Sequence, residues 1–159
     1  MTIFQAKEYD PRVEKRRRMY VIGGIIVIAI AAFLIYHYRN WREERTVNRF
    51  FAAVEQKDYD KAYGIWNADP NWKQHPQKYS MYTLGQFTLD WGPSSEYGTI
   101  TSHRVDCALA PPKKDFASPT GVVVVVTINN RAEPRSMWVE KKSKVITDSP
   151  VKVACHGQQ

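Results

Sequence analysis

Three different patterns of apolar and polar positions divide the chain. Residues 19–38 (MYVIGGIIVIAIAAFLIYHY) hold no charge and are apolar all round rather than on one face. About 20 such residues, at about 1.5 Å of rise each, cross a hydrocarbon core of about 30 Å, so this run predicts a transmembrane helix. Over residues 41–56 a helical period takes over: Val47, Phe50, Phe51 and Val54 stand at i, i+3, i+4 and i+7 and form one apolar face. Asp58 is placed to cap a second, short helix in which Tyr59, Ala62, Tyr63 and Trp66 share a face, and Asn67-Ala68-Asp69-Pro70 ends it. Gln56-Lys57 would join the two as a tight pair. No Pro or Gly separates Tyr38 from Trp41, so the span either runs on into the first helix of the domain or bends near Arg39-Asn40.

After a polar loop, Pro76 suits the first turn of a third helix whose apolar surface would be Met81, Leu84, Phe87, Leu89 and Trp91. Gly92-Pro93 stops it. The period then shortens. Residues 97–107 are rich in β-formers, 121–129 contain five consecutive valines, 135–141 alternate around Met137 and Val139, and 144–147 and 151–155 close the chain. These predict a meander of three or four antiparallel strands, with turns at Asn129-Asn130-Arg131 and Lys142-Ser143. Residues 108–120, with Pro111, Pro112 and Pro119, read as a long loop. Helices first and strands after argue for an α+β domain with helices packed on one face of a curved antiparallel sheet. The expected organisation is a short basic tail (1–18), a transmembrane helix (19–38) and one domain (39–159).

Charge gives the span a direction. Of the formal net charge of +7, the tail supplies Lys7, Arg12, Lys15, Arg16, Arg17 and Arg18 against Glu8, Asp10 and Glu14. Basic residues beside a span resist translocation, so the N-terminus is expected in the cytoplasm, the span in the inner (cytoplasmic) membrane and the domain outside. Arg39, Arg42, Arg45 and Arg49 on the other flank, partly offset by Glu43 and Glu44, narrow that difference. Tyr20 at one end and Tyr36, Tyr38 and Trp41 at the other suit interfacial anchors. The run exceeds the 7 to 15 apolar residues, roughly, of a signal peptide, and Ala29, Ala31 and Ala32 lie within it rather than after it. A retained anchor is expected; a cleaved signal and a buried core helix are the alternatives. Arg16, Arg17 and Arg18 suit anionic lipid headgroups, at about 1 kcal/mol each. Nucleic acid is not an expected partner, because no basic patch is interleaved with aromatics in a recognisable module.

Little in the chain points to chemistry. Cys107 and Cys155 are the two cysteines, neither in a CxxC. A disulfide in an oxidising compartment is expected; free thiols, or a Cys2His2 site with His103 and His156, are the alternatives. GxSxG, HExxH, P-loop, GxGxxG and CxxCH patterns are absent, so no catalysis, cofactor or resident metal is expected. Gly23, Gly24, Ala29, Ala31 and Ala32 form a small-residue surface where another membrane helix can approach. Trp72, in a polar loop, is a candidate anchor for a partner protein.

Residues 49–66 (RFFAAVEQKDYDKAYGIW) resemble the opening of NTF2-like, cystatin-type domains, in which a helix ending near a Lys-Asp-Tyr turn leads to a second helix with an Ala-x-x-x-Trp pattern. A single span before such a domain is similar in layout to VirB8-type inner-membrane components of type IV secretion and to Tim21/Coa1-type assembly proteins. The resemblance implies a helix-lined cone whose mouth, in enzymatic relatives, holds an Asp, a His or a Tyr. Tyr63, Trp66, Tyr82, Asp90, Trp91, His103 and Asp106 are the positions it points to. No pair of them is placed by sequence to shift a partner's pKa, as acid/base work requires. The expectation is a non-catalytic single-pass protein, an accessory subunit or assembly factor of a larger membrane complex such as a respiratory or photosynthetic one, with lipid, other subunits or a second copy as partners. The alternatives are a tethered ligand-binding or enzymatic NTF2-like domain, revived by a deep pocket with a buried Asp or His, and a secretion-system scaffold. A cone filled by Trp66, Phe87, Trp91 and Trp138 would count against the ligand pocket.

Overall fold

A computed structural model describes residues 11–112 and 120–155. The expectations placed on Lys7, Glu8 and Asp10, on 113–119 with Pro119, and on His156 lie outside the described residues. The chain forms two compact units, Met1–Arg39 and Asn40–Gln159.

In the first unit, helix α1 covers Pro11–His37, 27 residues or about 40 Å at 1.5 Å per residue. Its segment Glu14–Ile35 is long and apolar enough to cross a membrane, the length and composition that a span and a signal sequence share. Its large apolar side chains from Met19 to Ile35 are exposed, which sets the buried core helix aside. The helix does not run on. A turn at 38–40 separates it from α2, Trp41–Glu55. Asn40, at the start of the second unit, is tied to the sheet: its Nδ2 donates to the Ala108 carbonyl at 2.7 Å.

In the second unit, α2 buries Val47, Phe50, Phe51 and Val54 as its period predicts, together with Glu43 and Ala53. Lys57, at φ +58, turns the chain in the left-handed region, with Lys57 N–H donating to Val54 O at 2.8 Å and Asp58 N–H to Ala53 O at 2.9 Å. Helix α3, Tyr59–Trp66, starts where Asp58 accepts from Lys61 N–H at 3.1 Å.

The single third helix expected from Pro76 is three pieces. Two 3₁₀ turns, Trp72–Gln74 and Pro76–Tyr79, precede α4, Leu84–Trp91. The Thr83 hydroxyl accepts from Gln86 N–H at 3.3 Å and so opens a new helix. Met81 falls before this cap and is 95% exposed; Leu89 is 63% exposed. Phe87 and Trp91, at i and i+4, take the buried face, and Leu89 between them points away.

Strands β1 (His103–Leu109), β2 (Gly121–Ile128), β3 (Arg135–Glu140) and β4 (Ile146–Asp148) form one antiparallel sheet in the order β1-β2-β3-β4. The described domain is therefore mixed helix and sheet, with an open four-stranded sheet. The β2–β3 turn uses Asn129 and Asn130 at φ +49 and +55, with Arg131 N–H donating to Ile128 O at 3.0 Å, a pairing that follows the strand twist. Residues 97–102, expected in a strand, are not in one. Their backbone is held by a single side chain: Asn129 Oδ1 accepts from Thr101 and Ser102 N–H at 2.9 and 3.3 Å, and its Nδ2 donates to the Tyr97 and Thr99 carbonyls at 3.3 and 3.0 Å. Residues 151–155 are not a strand either, and β1 runs to Leu109, into the expected loop.

Both faces of the sheet are covered. Val122, Val124, Val126, Ile128, Met137, Val139 and Ile146 join Val47, Phe50, Phe51, Trp66, Phe87 and Trp91 in the core. Val123, Val125 and Trp138 alternate to the other face and are also buried. Trp138 thus belongs to the outer layer and does not join the core between helices and sheet. A β-bulge decides which face Cys107 takes. The register shifts between Val105 and Cys107, so that Val105 pairs with Val126 and Cys107 with Val125. In a strand without the bulge, Asp106 would pair with Val125, and alternation would keep Cys107, two residues on from Val105, on the helix side with it. With it, Cys107 reaches the outer face and bonds Cys155 in a disulfide, with a Cα–Cα separation of 5.9 Å. The expected disulfide is present, and the Cys2His2 alternative goes, since each cysteine is the other's partner.

Candidate functional site

The space between helices and sheet is occupied by aromatic rings. Phe50 is 5.0 Å from Phe51, 5.4 Å from Trp66, 6.0 Å from Phe87 and 5.0 Å from Trp91, centroid to centroid, three of the four edge to face. Tyr63, fully buried, lies 5.3 Å from Phe87, and its hydroxyl donates to the Tyr82 carbonyl. Burial pushes its pKa up. Of the positions implied by the resemblance, Tyr63, Trp66 and Trp91 are therefore packing residues of one core.

The remaining positions fall into separate clusters. His103, on β1, stacks on Phe51 at 5.2 Å and sits between Glu55 Oε1 (2.7 Å from Nδ1) and Asn48 Oδ1 (3.0 Å from Nε2) on α2. Asp106, at the bulge, accepts from the Thr127 hydroxyl at 2.6 Å and from Arg104 Nε at 2.8 Å. The Tyr82 hydroxyl donates to Asp90 Oδ2 at 2.9 Å, beside a cavity of about 450 Å³ that Trp91, Tyr97, Arg135 and Asp148 also line. In that cavity Arg135 donates to Asp148 (2.7 Å), Glu96 (2.9 Å) and the Tyr97 hydroxyl (2.9 Å). Burial, reinforced by Asp90, pushes Tyr82 well above the usual phenol range, and burial also raises Tyr97. Burial works against the Arg135 charge, but Asp148 outweighs it and the net shift is upward. These groups are tied to one another in a network of mutual bonds. Among the described residues, no three His, Cys, Asp or Glu gather as a metal site.

A wide opening lies elsewhere, on the outside of α2 and α3. This groove of about 710 Å³ is lined by Thr46, Arg49, Lys61, Ile65, Trp72 and Gln74 among others. Trp72 is not a free side chain in a polar loop. Its indole N–H donates to the Asp60 carbonyl at 3.1 Å, and its ring stands edge-on to Tyr63 at 4.8 Å. Gly64 makes room for it: a Cβ there would lie 3.2 Å from Asp69 O and 3.3 Å from Trp72 Cδ1. Asp69 is tied in by the Tyr79 hydroxyl at 2.6 Å, the main reason its pKa is lowered. The charges around the groove are unequally committed. Lys73 pairs with Asp60 at 2.6 Å and Lys144 with Glu43 at 2.5 Å, while Arg49 and Lys61 have no side-chain partner among the described residues.

The span candidates stand on exposed helix surface. A methyl added at Gly23 or Gly24 would meet nothing within 4 Å, and Ala29, Ala32, Arg16, Arg17 and Arg18 are exposed. The groove itself is missed by the sequence reading. Its available signal is Gly64, a glycine inside an amphipathic helix, which marks a close approach of another part of the chain. The chain matches no family model, no curated protein and no solved structure.

Proposed function

We propose that this chain is a membrane-anchored, non-catalytic accessory or assembly subunit, whose domain is NTF2-like and docks on other subunits of a larger membrane complex. The observation that carries the reading is the filled interior. Phe50, Phe51, Trp66, Phe87 and Trp91 are buried against one another where an enzymatic NTF2-like domain would keep its ligand pocket. The candidate acid and base residues are dispersed among separate bonded clusters rather than aimed at one point. Binding capacity therefore rests on outer surfaces, among them the groove of about 710 Å³ beside Trp72. The 22-residue apolar segment of α1 suits retention in the inner membrane, its basic N-terminal flank suits a cytoplasmic N-terminus with Arg16, Arg17 and Arg18 on lipid headgroups, and the Cys107–Cys155 disulfide suits an oxidising compartment outside.

Purification of the tagged full chain in mild detergent tests this. Membrane subunits are expected to co-migrate with it in fixed ratio. A chain that migrates alone from every preparation would overturn the reading.

A further inference from the structure

Resting on that docking role, we infer that the groove between α2 and α3 receives an acidic segment of a partner subunit, whose apolar side chain seats on Ile65 and Trp72 while its carboxylates meet Arg49 and Lys61.

Size and chemistry both fit. A volume of about 710 Å³ lies within the range of about 300 to 1,000 Å³ for clefts that hold ligands. Ile65, Ala68, Pro70 and Trp72 supply apolar lining. Trp72 is held in place before any partner arrives, by its N–H bond to the Asp60 carbonyl and its edge contact with Tyr63, so ordering it on binding costs little. Charge selects the occupant. Asp60 is engaged by Lys73, Asp58 caps α3, and Lys144 is engaged by Glu43. The lining carries four basic residues (Arg49, Lys61, Lys73 and Lys144) against two acidic ones (Asp58 and Asp60); Asp58 is held by the Lys61 backbone N–H, Arg49 and Lys61 have no side-chain partner among the described residues, and a guanidinium binds a carboxylate with two parallel hydrogen bonds. A compact phosphate headgroup fits less well, because Asp58 and Asp60 line the same groove and would face its dense charge. Carboxylates spaced along an extended segment can reach the two cations and avoid both aspartates. Trp and Arg are also the side chains that most often dominate protein interfaces.

The test uses the full chain in nanodiscs of zwitterionic lipid and, as probe, a fluorescent peptide with several Asp and Glu around one Leu. Wild-type protein is expected to bind it, more weakly as salt rises. The double substitution Arg49→Glu with Lys61→Glu should weaken binding by about tenfold or more. Lys141→Glu with Lys142→Glu, two exposed positions at the β3–β4 hairpin carrying the same change in net charge, should leave it nearly unchanged. No binding, or equal weakening in the two double variants, overturns the groove. Glycerol phosphate that binds more tightly than the peptide overturns it in favour of a lipid headgroup. Co-purification separates the two claims: if the Arg49/Lys61 variant keeps every co-migrating subunit, the groove proposal fails and the docking role stands, whereas a wild-type chain without co-migrating subunits sinks the docking role itself.

Discussion

The indole of Trp138 occupies the space that a side chain on Gly121 would need: a Cβ added there would overlap the ring at Cε2 and Nε1. The ring is fixed by its N–H, which donates to Glu140 Oε1 at 2.8 Å, and the same carboxylate accepts from the Thr120 hydroxyl at 2.9 Å. Gly121→Ala should therefore displace Trp138 and destabilise the domain by about 1–3 kcal/mol, the usual cost of overpacking. Urea unfolding measures it. In a Trp138→Val background the same substitution should cost much less, and equal costs in both backgrounds would refute the overlap.

The disulfide closes a loop of 48 residues by sequence separation and holds Cys155 on the outer face of the sheet. Replacing Cys107 and Cys155 together by Ser should lower stability by about 4 kcal/mol on the chain-entropy account. Thermal melting with and without reductant is the check. Reductant should shift the wild type towards the double variant and leave the variant where it is.

Glu43 is 5% exposed and its partner Lys144 comes from the far end of the β3–β4 turn, 101 residues away. Lys144→Met strands a buried carboxylate, at a cost of about 3–5 kcal/mol. Adding Glu43→Met should recover most of that loss, because two apolar groups can replace a buried pair. Failure of the second substitution to rescue would mean that the pair is not what joins hairpin and helix.

Asn129 brackets residues 97–102 through five side-chain hydrogen bonds, four of them to backbone groups, while sitting at φ +49 in the hairpin turn. Asn129→Gly keeps the turn geometry and deletes the bracket, so its cost isolates those bonds. About 2 kcal/mol is expected from several backbone groups losing their partner. Hydrogen exchange should speed up at Thr101 and Ser102 and not at Val124.

Alkaline pH should unfold the domain through its tyrosines. Tyr82 and Tyr97 have pKa values raised by burial, with Asp90 adding to the first and Glu96 to the second. A folded pKa above the unfolded one gives stability that is complete below about pH 10 and is lost as pH rises from there through the folded values. Melting temperatures should fall above about pH 10, and Tyr82→Phe with Tyr97→Phe should flatten that fall. An identical pH profile in the double variant would rule the tyrosines out.

Much of the fold is a one-dimensional property of this chain, and the sequence by itself determines it. An uncharged apolar run makes α1 long and apolar enough to cross a membrane. The spacing of Val47, Phe50, Phe51 and Val54 sets the buried face of α2, Asp58 caps α3, five consecutive valines produce a strand buried on both sides, and Asn129-Asn130 turns it back. Each depends on neighbours within a few residues, where period and side-chain chemistry act directly. Tertiary structure decided the rest, because the interactions concerned join residues far apart or depend on register. Thr83 broke the expected third helix by capping its own backbone. Asn129 took hydrogen bonds that 97–102 would otherwise have offered to a strand. The bulge at Asp106 moved Cys107 to the face where Cys155 could meet it, a choice no spacing rule contains. Trp72 lies beside Gly64 because an indole N–H found a carbonyl twelve residues back. That contact, rather than any motif, turned a polar loop into one wall of the groove.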